Sequence, residues 1–325
     1  MLSLVSVHKS FQPSRSLGLE IASIWRRRKE GQAGRVQAVK GLDLAVRDGE
    51  VLGLVGESGS GKSTLGRLMC GLYRPDQGQV LFRERDLWTL DKKEMKGFRA
   101  QVQLMFQDPA SSLNPRLTAG QALSEGLIVH GIGSRASRGE KVIRLMEEVG
   151  LSPELSRRYP HQFSGGQRQR LCLARALSLD PALLIADEPA SALDVSIQAQ
   201  IINLLLDLKA QRGLTMVLIS HDLALVCLMA DRLAVMYGGL LMEVFPRPML
   251  GQVDHHPYVK ALWASVDSTS RSGLILDGEP PDPQNPPPGC PFQPRCPEAG
   301  DACRQKPPPM VPAGPGRSCA CHMRV

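Results

Sequence analysis

One run of nine residues constrains this chain more than any other: Gly56-Glu57-Ser58-Gly59-Ser60-Gly61-Lys62-Ser63-Thr64. It fits G-x-x-x-x-G-K-[ST], follows the continuous apolar run Val51 to Val55, and opens a helical segment near Lys62. Strand, glycine-rich turn and helix in that order make a cradle. Successive backbone N–H groups point at phosphate oxygens, and the helix adds its positive N-terminal end. Lys62 then reaches the outer phosphates of a nucleotide, and the Ser63 hydroxyl serves a Mg²⁺ ion. An apolar strand of this kind belongs to a parallel sheet covered by helices on both faces.

The surrounding text reads the same way. From about residue 36 to 237, short apolar runs alternate with longer amphipathic segments, which predicts an α/β core. Ala182 to Ala186 and Met216 to Ile219 are further strands whose carboxyl ends run into polar residues, the edge at which such sheets do chemistry. Between about 113 and 175 the text turns helical, with Val142, Leu145, Met146 and Val149 at helical spacing and a stop at Gly150, so a helical insert is expected. Ile197 to Lys209 forms an amphipathic helix with Ile197, Ile201, Leu204, Leu205 and Leu208 on one face.

Composition narrows the class. With 325 residues, 42% hydrophobic and 22% charged, the chain has enough apolar material for a core of one large domain plus an appendage. No apolar run is long enough to span a bilayer, and the polar start from Met1 to Ser16 lacks the apolar stretch of a signal peptide, so a cytosolic chain is expected. The formal charge of +7 and the cluster Arg26, Arg27, Arg28 and Lys29 could suit nucleic acid. No aromatic residues are interleaved as stacking platforms, and a solvated basic surface is expected instead. Cys70, Cys172 and Cys227 stand singly in apolar surroundings and read as buried thiols. Cys290, Cys296, Cys303, Cys319 and Cys321 crowd a tail in which residues 280–325 hold 14 of the 25 prolines, and an irregular tail is expected there.

The chemistry gathers at strand ends. Leu183-Leu184-Ile185-Ala186 runs into Asp187 and Glu188. Asp187 is placed for the Mg²⁺ shell, and Glu188 to orient or deprotonate a water attacking in line. His221 follows the strand ending at Ile219 and is either a γ-phosphate contact or a structural histidine. Phe163-Ser164-Gly165-Gly166-Gln167 lies 20 residues before Asp187. With that segment, the sequence resembles the ATP-binding subunit of an ABC transporter, and the resemblance spans nearly the whole chain.

The resemblance implies a P-loop nucleotide-binding fold that hydrolyses ATP with Mg²⁺. It assigns a glutamine loop to Gln107, near Mg²⁺ or water, and the signature to Ser164, Gly165, Gly166 and Gln167. A further loop runs from Ser191 to Asp194, the switch histidine is His221, and an adenine-stacking aromatic falls at Phe11. It also implies a head-to-tail dimer in which one subunit's signature closes on nucleotide in the other's phosphate loop. Gln107-Asp-Pro-Ala-Ser-Ser-Leu-Asn-Pro115, Tyr159-Pro-His-Gln-Phe163 and Ser191-Ala-Leu-Asp-Val-Ser-Ile-Gln-Ala-Gln200 resemble the oligopeptide, dipeptide and nickel importer group, most of all its second ATPase subunit. His256-Pro-Tyr258 and the cysteine tail resemble the carboxyl-terminal extension of peptide importers.

Clustered cytosolic thiols suit zinc, an iron–sulfur cluster, or simply a reduced tail, and their spacing is no standard zinc ribbon. The family resemblance implies a [4Fe-4S] cluster on Cys290, Cys296, Cys303 and Cys321, with Cys319 an extra thiol. The expected division is an ATP-binding unit over 1–250, its insert at about 113–175, and an extension over 251–325. The expected partners are a second ATPase subunit, identical or not, two integral permease subunits and, indirectly, an extracytoplasmic solute-binding protein. The expected place is the cytoplasmic face of a bacterial inner membrane, and the work is peptide import. Nickel or glutathione import, or a phosphonate-degrading complex, are the alternatives.

Overall fold

The strand before the glycine loop lies in the middle of the molecule, where every one of its residues is buried. The computed structural model describes residues 1–12, 35–108, 112–191, 194–266 and 278–324. The basic cluster Arg26 to Lys29, Pro109 to Ser111, and Ala192 and Leu193 lie outside them.

Twelve strands are present among the described residues: β1 (Leu2–Phe11), β2 (Val36–Val46), β3 (Val51–Val55), β4 (Gln77–Phe82), β5 (Arg85–Asp86), β6 (Val102–Met105), β7 (Leu183–Asp187), β8 (Thr215–Ser220), β9 (Arg232–Tyr237), β10 (Leu240–Pro246), β11 (Val311–Gly314) and β12 (Arg317–Cys319). They form a four-stranded antiparallel sheet, β2-β1-β4-β5, and an eight-stranded sheet, β11-β12-β10-β9-β3-β8-β7-β6. The middle of the larger sheet is parallel, with Val55 opposite Ser220 and Asp187 opposite Ile219.

Strict alternation along these strands divides the core in two. Val51, Val55, Leu184, Ala186, Met216 and Leu218 face one apolar cluster. Leu52, Leu54, Leu183, Ile185, Val217 and Ile219 face the other, shared with the small sheet and the helix Lys62–Met69. Because the side-chain period is two, the continuous apolar runs mark strands buried on both faces.

The expected insert contains the helices Ala119–His130 and Arg135–Glu148, each opened by a capping box, at Thr118 with Gln121 and at Ser134 with Ser137. Gly150 takes the left-handed φ of +70° expected of a helix stop. The helix foreseen over Ile197 to Lys209 runs from Val195 to Arg212, with Ile201, Leu205 and Leu208 buried. Cys70 and Cys172 are buried and Cys227 half-buried, and burial pushes each thiol up to about 11, so all three stay protonated near neutrality.

The expectation of an irregular tail needs correction at its end. Residues 278–292 lack helices and strands, but the helix Asp301–Gln305 and the hairpin β11–β12 follow. The hairpin extends the large sheet, with Glu243 opposite Cys319 and Val244 opposite Ser318. The physical reason is the free edge of β10, whose backbone groups need partners that the tail supplies. Glu243, fully buried, fixes the join. Its carboxylate accepts from Arg317 Nε at 2.7 Å and from the His256 N–H at 2.8 Å, and it lies 2.8 Å from His255 Nδ1. Tyr258, Phe292 and Cys290 belong to the same apolar cluster as β3, so extension and cassette share one core.

Candidate nucleotide site

Four parallel strands bring the expected residues to one edge. β3 delivers the glycine loop, β7 ends in Asp187 with Glu188 next, β8 leads into His221, and β6 leads to Gln107. The loop needs glycine where it passes close to other backbone. A Cβ on Gly56 would come 2.1 Å from the Met236 carbonyl oxygen, and one on Gly61, at φ +102°, 2.2 Å from that of Ala38. The Lys62 ammonium folds inside the loop, donating to the carbonyls of Gly56 and Glu57, each at 2.7 Å. Burial lowers its pKa, while Glu188, Asp187 and Glu57 pull it back up. An anion held by the loop amides would act in the same sense as those carboxylates.

Ser63 donates its hydroxyl to Asp187 Oδ1 at 3.0 Å. Burial holds the Asp187 carboxyl above its ordinary value, opposed by the Ser63 hydrogen bond. A hydroxyl and a carboxylate side by side are hard oxygen donors suited to Mg²⁺, whose charge would favour the ionised Asp187. Glu188 is held from both sides. Gln107 Nε2 donates to Oε2 at 3.0 Å, and His221 Nδ1 lies 3.0 Å from Oε1. The backbone at Glu188 adopts the uncommon φ of +47°, with its N–H donating to the Ile219 carbonyl at 2.9 Å. That kink turns the carboxylate out of the strand and into the cavity in front of the loop.

The signature residues sit elsewhere. Ser164 and Gln167 close a capping box at the start of the helix Gly165–Leu177, with Ser164 N–H donating to Gln167 Oε1 at 3.0 Å and the Gln167 N–H to Ser164 Oγ at 3.3 Å. Asp194 caps the helix after it by accepting from the Ile197 N–H at 3.0 Å. Neither Asp194 nor the four signature residues line the phosphate-loop cavity. Phe11 also departs from expectation. Its ring sits edge-on to Tyr73, 5.4 Å between centroids, and it is not among the residues that line the cavity.

In the tail, Cys290 shares its electrostatic surroundings with Cys303, Cys296 and Cys321, whereas Cys319 faces Glu243 and Cys321. Burial pushes Cys290 and Cys319 up to about 12. Among the described residues, no three His, Cys, Asp or Glu side chains converge on a point that would hold a metal ion, so the four thiols as placed are not a ligand shell.

The cavity of about 460 Å³ in front of the loop has a wall that sequence reasoning missed. Besides the loop, Gln107 and Glu188, it is lined by Val36, Ala38, Tyr237 and prolines of the extension. Arg295 and Tyr258 both reach Glu57. Residues 57 and 295 are 238 positions apart, and no local spacing could join them. The His256-Pro-Tyr258 segment was the one visible signal.

The family profile described as "ABC transporter" matches residues 39–191, and that described as "Oligopeptide/dipeptide transporter, C-terminal region" matches 242–303. The "Probable peptide ABC transporter ATP-binding protein y4tS" of Sinorhizobium fredii is 50% identical over 294 residues, covering 89% of this chain and 83% of that protein. The "Oligopeptide transport ATP-binding protein AppF" of Bacillus subtilis is 47% identical over 299 residues, covering 90% of this chain and 91% of its own. The ATP-binding cassette MJ0796, solved as a dimer in a post-hydrolysis state bound to ADP and Pi, superposes with a TM-score of 0.64 at 28% identity, covering 76% of this chain and 99% of that one. With half of its residues shared over nearly nine-tenths of its length, and with the loop, the acidic strand end and the signature in place, the chain belongs to the ABC transporter ATPase family and is an ATP-hydrolysing transport subunit.

Proposed function

We propose that this chain powers the import of di- or oligopeptides. It would sit on the cytoplasmic face of a bacterial inner membrane against two integral permease subunits, paired with a second ATPase subunit and fed by an extracytoplasmic binding protein. Among the described residues no helix is long and apolar enough to cross a membrane, so the permease would have to come from other chains. The peptide reading draws support from the printed names of the relatives and from the extension profile at residues 242–303. We take the ATP-binding unit as 1–250 and the extension as 251–325; the two profiles, at 39–191 and 242–303, support the order of the two units and not the exact boundary.

The observation that carries the catalytic reading is the Glu188 carboxylate, held between Gln107 and His221 in the cavity the phosphate loop opens into. Glu188 takes the proton of the attacking water or orients it, Gln107 fixes one carboxylate oxygen, and His221 steadies the other and contacts the γ phosphate. The loop amides of residues 57–64 and Lys62 bind the phosphates. Ser63, Asp187 and Gln107 would hold Mg²⁺, which when bound would neutralise charge developing on the leaving phosphates. Ser164, Gly165, Gly166, Gln167 and Asp194 lie away from this chain's own loop, as they would if they served nucleotide in the partner subunit. ATP then bridges two surfaces, and its cleavage releases them.

The test is uptake of a labelled dipeptide, a labelled longer peptide and Ni²⁺ in cells carrying either the native chain or Glu188→Gln at matched expression. Selective loss of peptide uptake is expected. Loss of Ni²⁺ uptake alone would overturn the substrate, and unchanged uptake of all three would overturn the import role.

We further propose that Cys290, Cys296, Cys303 and Cys321 hold a [4Fe-4S] cluster, with the four side chains drawing closer than they now stand. The surroundings that Cys290 shares with Cys303, Cys296 and Cys321 support this set, while Cys319, which also lies near Cys321, is left as the extra thiol. Four iron atoms per chain after anaerobic purification are expected, and stoichiometric zinc or no metal would refute the cluster.

A further inference from the structure

Glu57 enters the phosphate loop directly after its first glycine, and the extension grips it twice. Its backbone N–H donates to Tyr258 Oη at 3.0 Å. Its carboxylate accepts from Arg295 Nη1 at 3.0 Å and 2.9 Å, one contact to each oxygen. The same guanidinium donates to Tyr237 Oη at 3.0 Å and lies over the Tyr237 ring. The Arg295 side chain is 7% exposed and that of Glu57 21%, so solvent screens this pair far less than a surface salt bridge.

Arg295 is itself held in place. Its N–H donates to the Phe292 carbonyl at 3.0 Å, and the buried Phe292 ring meets Tyr237 and Tyr258 at centroid distances of 5.4 Å and 5.2 Å. Just upstream, the Cys290 N–H donates to the Cys303 carbonyl at 2.7 Å. The conformation of the phosphate loop therefore depends on a turn of the extension more than 200 residues away in sequence.

The cavity shows a second use of the extension. Phosphates belong at the loop amides, and the acidic end with Glu188 belongs at the γ position. The rest of the lining is mixed: Val36, Ala38, Tyr237 and the extension's Pro280, Pro281 and Pro283 offer apolar surface, with Gln37, Lys40 and Asp282 as polar groups among them. Proline rings lose almost no side-chain freedom on contact, which makes them an inexpensive flat surface for an aromatic base.

We propose that the C-terminal extension completes the ATP site, with Arg295 and Tyr258 positioning the phosphate loop through Glu57, and Pro280, Pro281 and Pro283 forming the wall on which the nucleoside half of ATP packs. Arg295 is a positioning residue, and the prolines are binding residues. The proposal rests on the ATPase reading above and extends it to residues outside the cassette motifs.

The test uses the purified full chain with Mg²⁺ and two probes, ATP and inorganic tripolyphosphate, which carries the phosphates without the nucleoside. Arg295→Gln is expected to weaken both probes by the same factor, about fivefold or more for loss of a charged hydrogen bond, and Arg295→Lys to recover part of it. The triple change Pro280→Ser, Pro281→Ser, Pro283→Ser is expected to weaken ATP several-fold and leave tripolyphosphate unchanged. A role confined to folding would lower the melting temperature of Arg295→Gln while leaving its affinity for both probes native, and would leave the triple variant without a split between the probes; either result overturns the proposal. Equal affinity of native and variant chains for ATP, with Lys62→Ala abolishing binding, overturns it while leaving the ATPase reading intact. Failure of the native chain to bind ATP overturns both.

Discussion

A single Cβ is enough to test the loop. Alanine at position 61 would have to hold φ at +102° and place its methyl 2.2 Å from a backbone oxygen that cannot rotate away. Strain of this kind costs about 1–3 kcal/mol, and the loop must shift to relieve it. Gly61→Ala is expected to lose ATP binding more than tenfold with only modest loss of melting temperature, and native affinity would contradict the close approach. At this scale the sequence was highly legible. Lys62, Ser63, Asp187 and Glu188 were read from local text, because a continuous apolar run leads into the segment that carries each, whereas His221 was left open between a phosphate contact and a structural role and Gln107 came from the family resemblance. Phe11 was named only by resemblance, and its place along the chain said nothing about the Tyr73 ring it packs against.

Elements answer to their caps. The helix Pro257–Ala264 begins at His256, whose Nδ1 accepts from the Tyr258 N–H at 3.0 Å and must be unprotonated to do so. Burial lowers the pKa of His256 from 6.5 to about 4, with Glu243 opposing. The unfolded chain takes up a proton below about 6.5 that the folded chain refuses until about 4, so stability falls as pH falls through that window. Glu243 adds to the same trend. Burial raises its pKa, but His255, the His256 N–H and Arg317 together hold it below its ordinary value, and a depressed carboxylate also loses its contribution on acidification. His256→Asn keeps an acceptor at the cap and removes the titration. Its melting temperature should vary less between pH 6.5 and 4 than that of the native chain, and parallel curves would assign the trend to other groups. Sequence reasoning read His256-Pro-Tyr258 only as a likeness. Proline density likewise concealed the β11–β12 hairpin, since strand pairing to β10, where Glu243 meets Cys319, is decided by an edge far upstream in sequence and not by local propensity.

For the whole molecule, the capped signature helix and the loop cavity are separate surfaces of one chain, and under the proposed function ATP would connect two copies or two related subunits to use both. Purified Glu188→Gln should retain ATP binding and shift from monomer to dimer on adding ATP, read by light scattering. A variant that turns over ATP at the native rate would remove Glu188 from its role. The α/β fold class followed from the alternation of runs, yet the contact between extension and loop did not, since it joins residues 57 and 295 through an ion pair that only the folded chain brings together.

The large sheet ends on both sides in strands of only four residues, β6 and β11, and β11 carries Pro312, which has no N–H to offer a neighbour. Margins this short give a second chain little backbone to add to as a strand, so the docking of other chains on this sheet falls to side chains and loops rather than to backbone pairing.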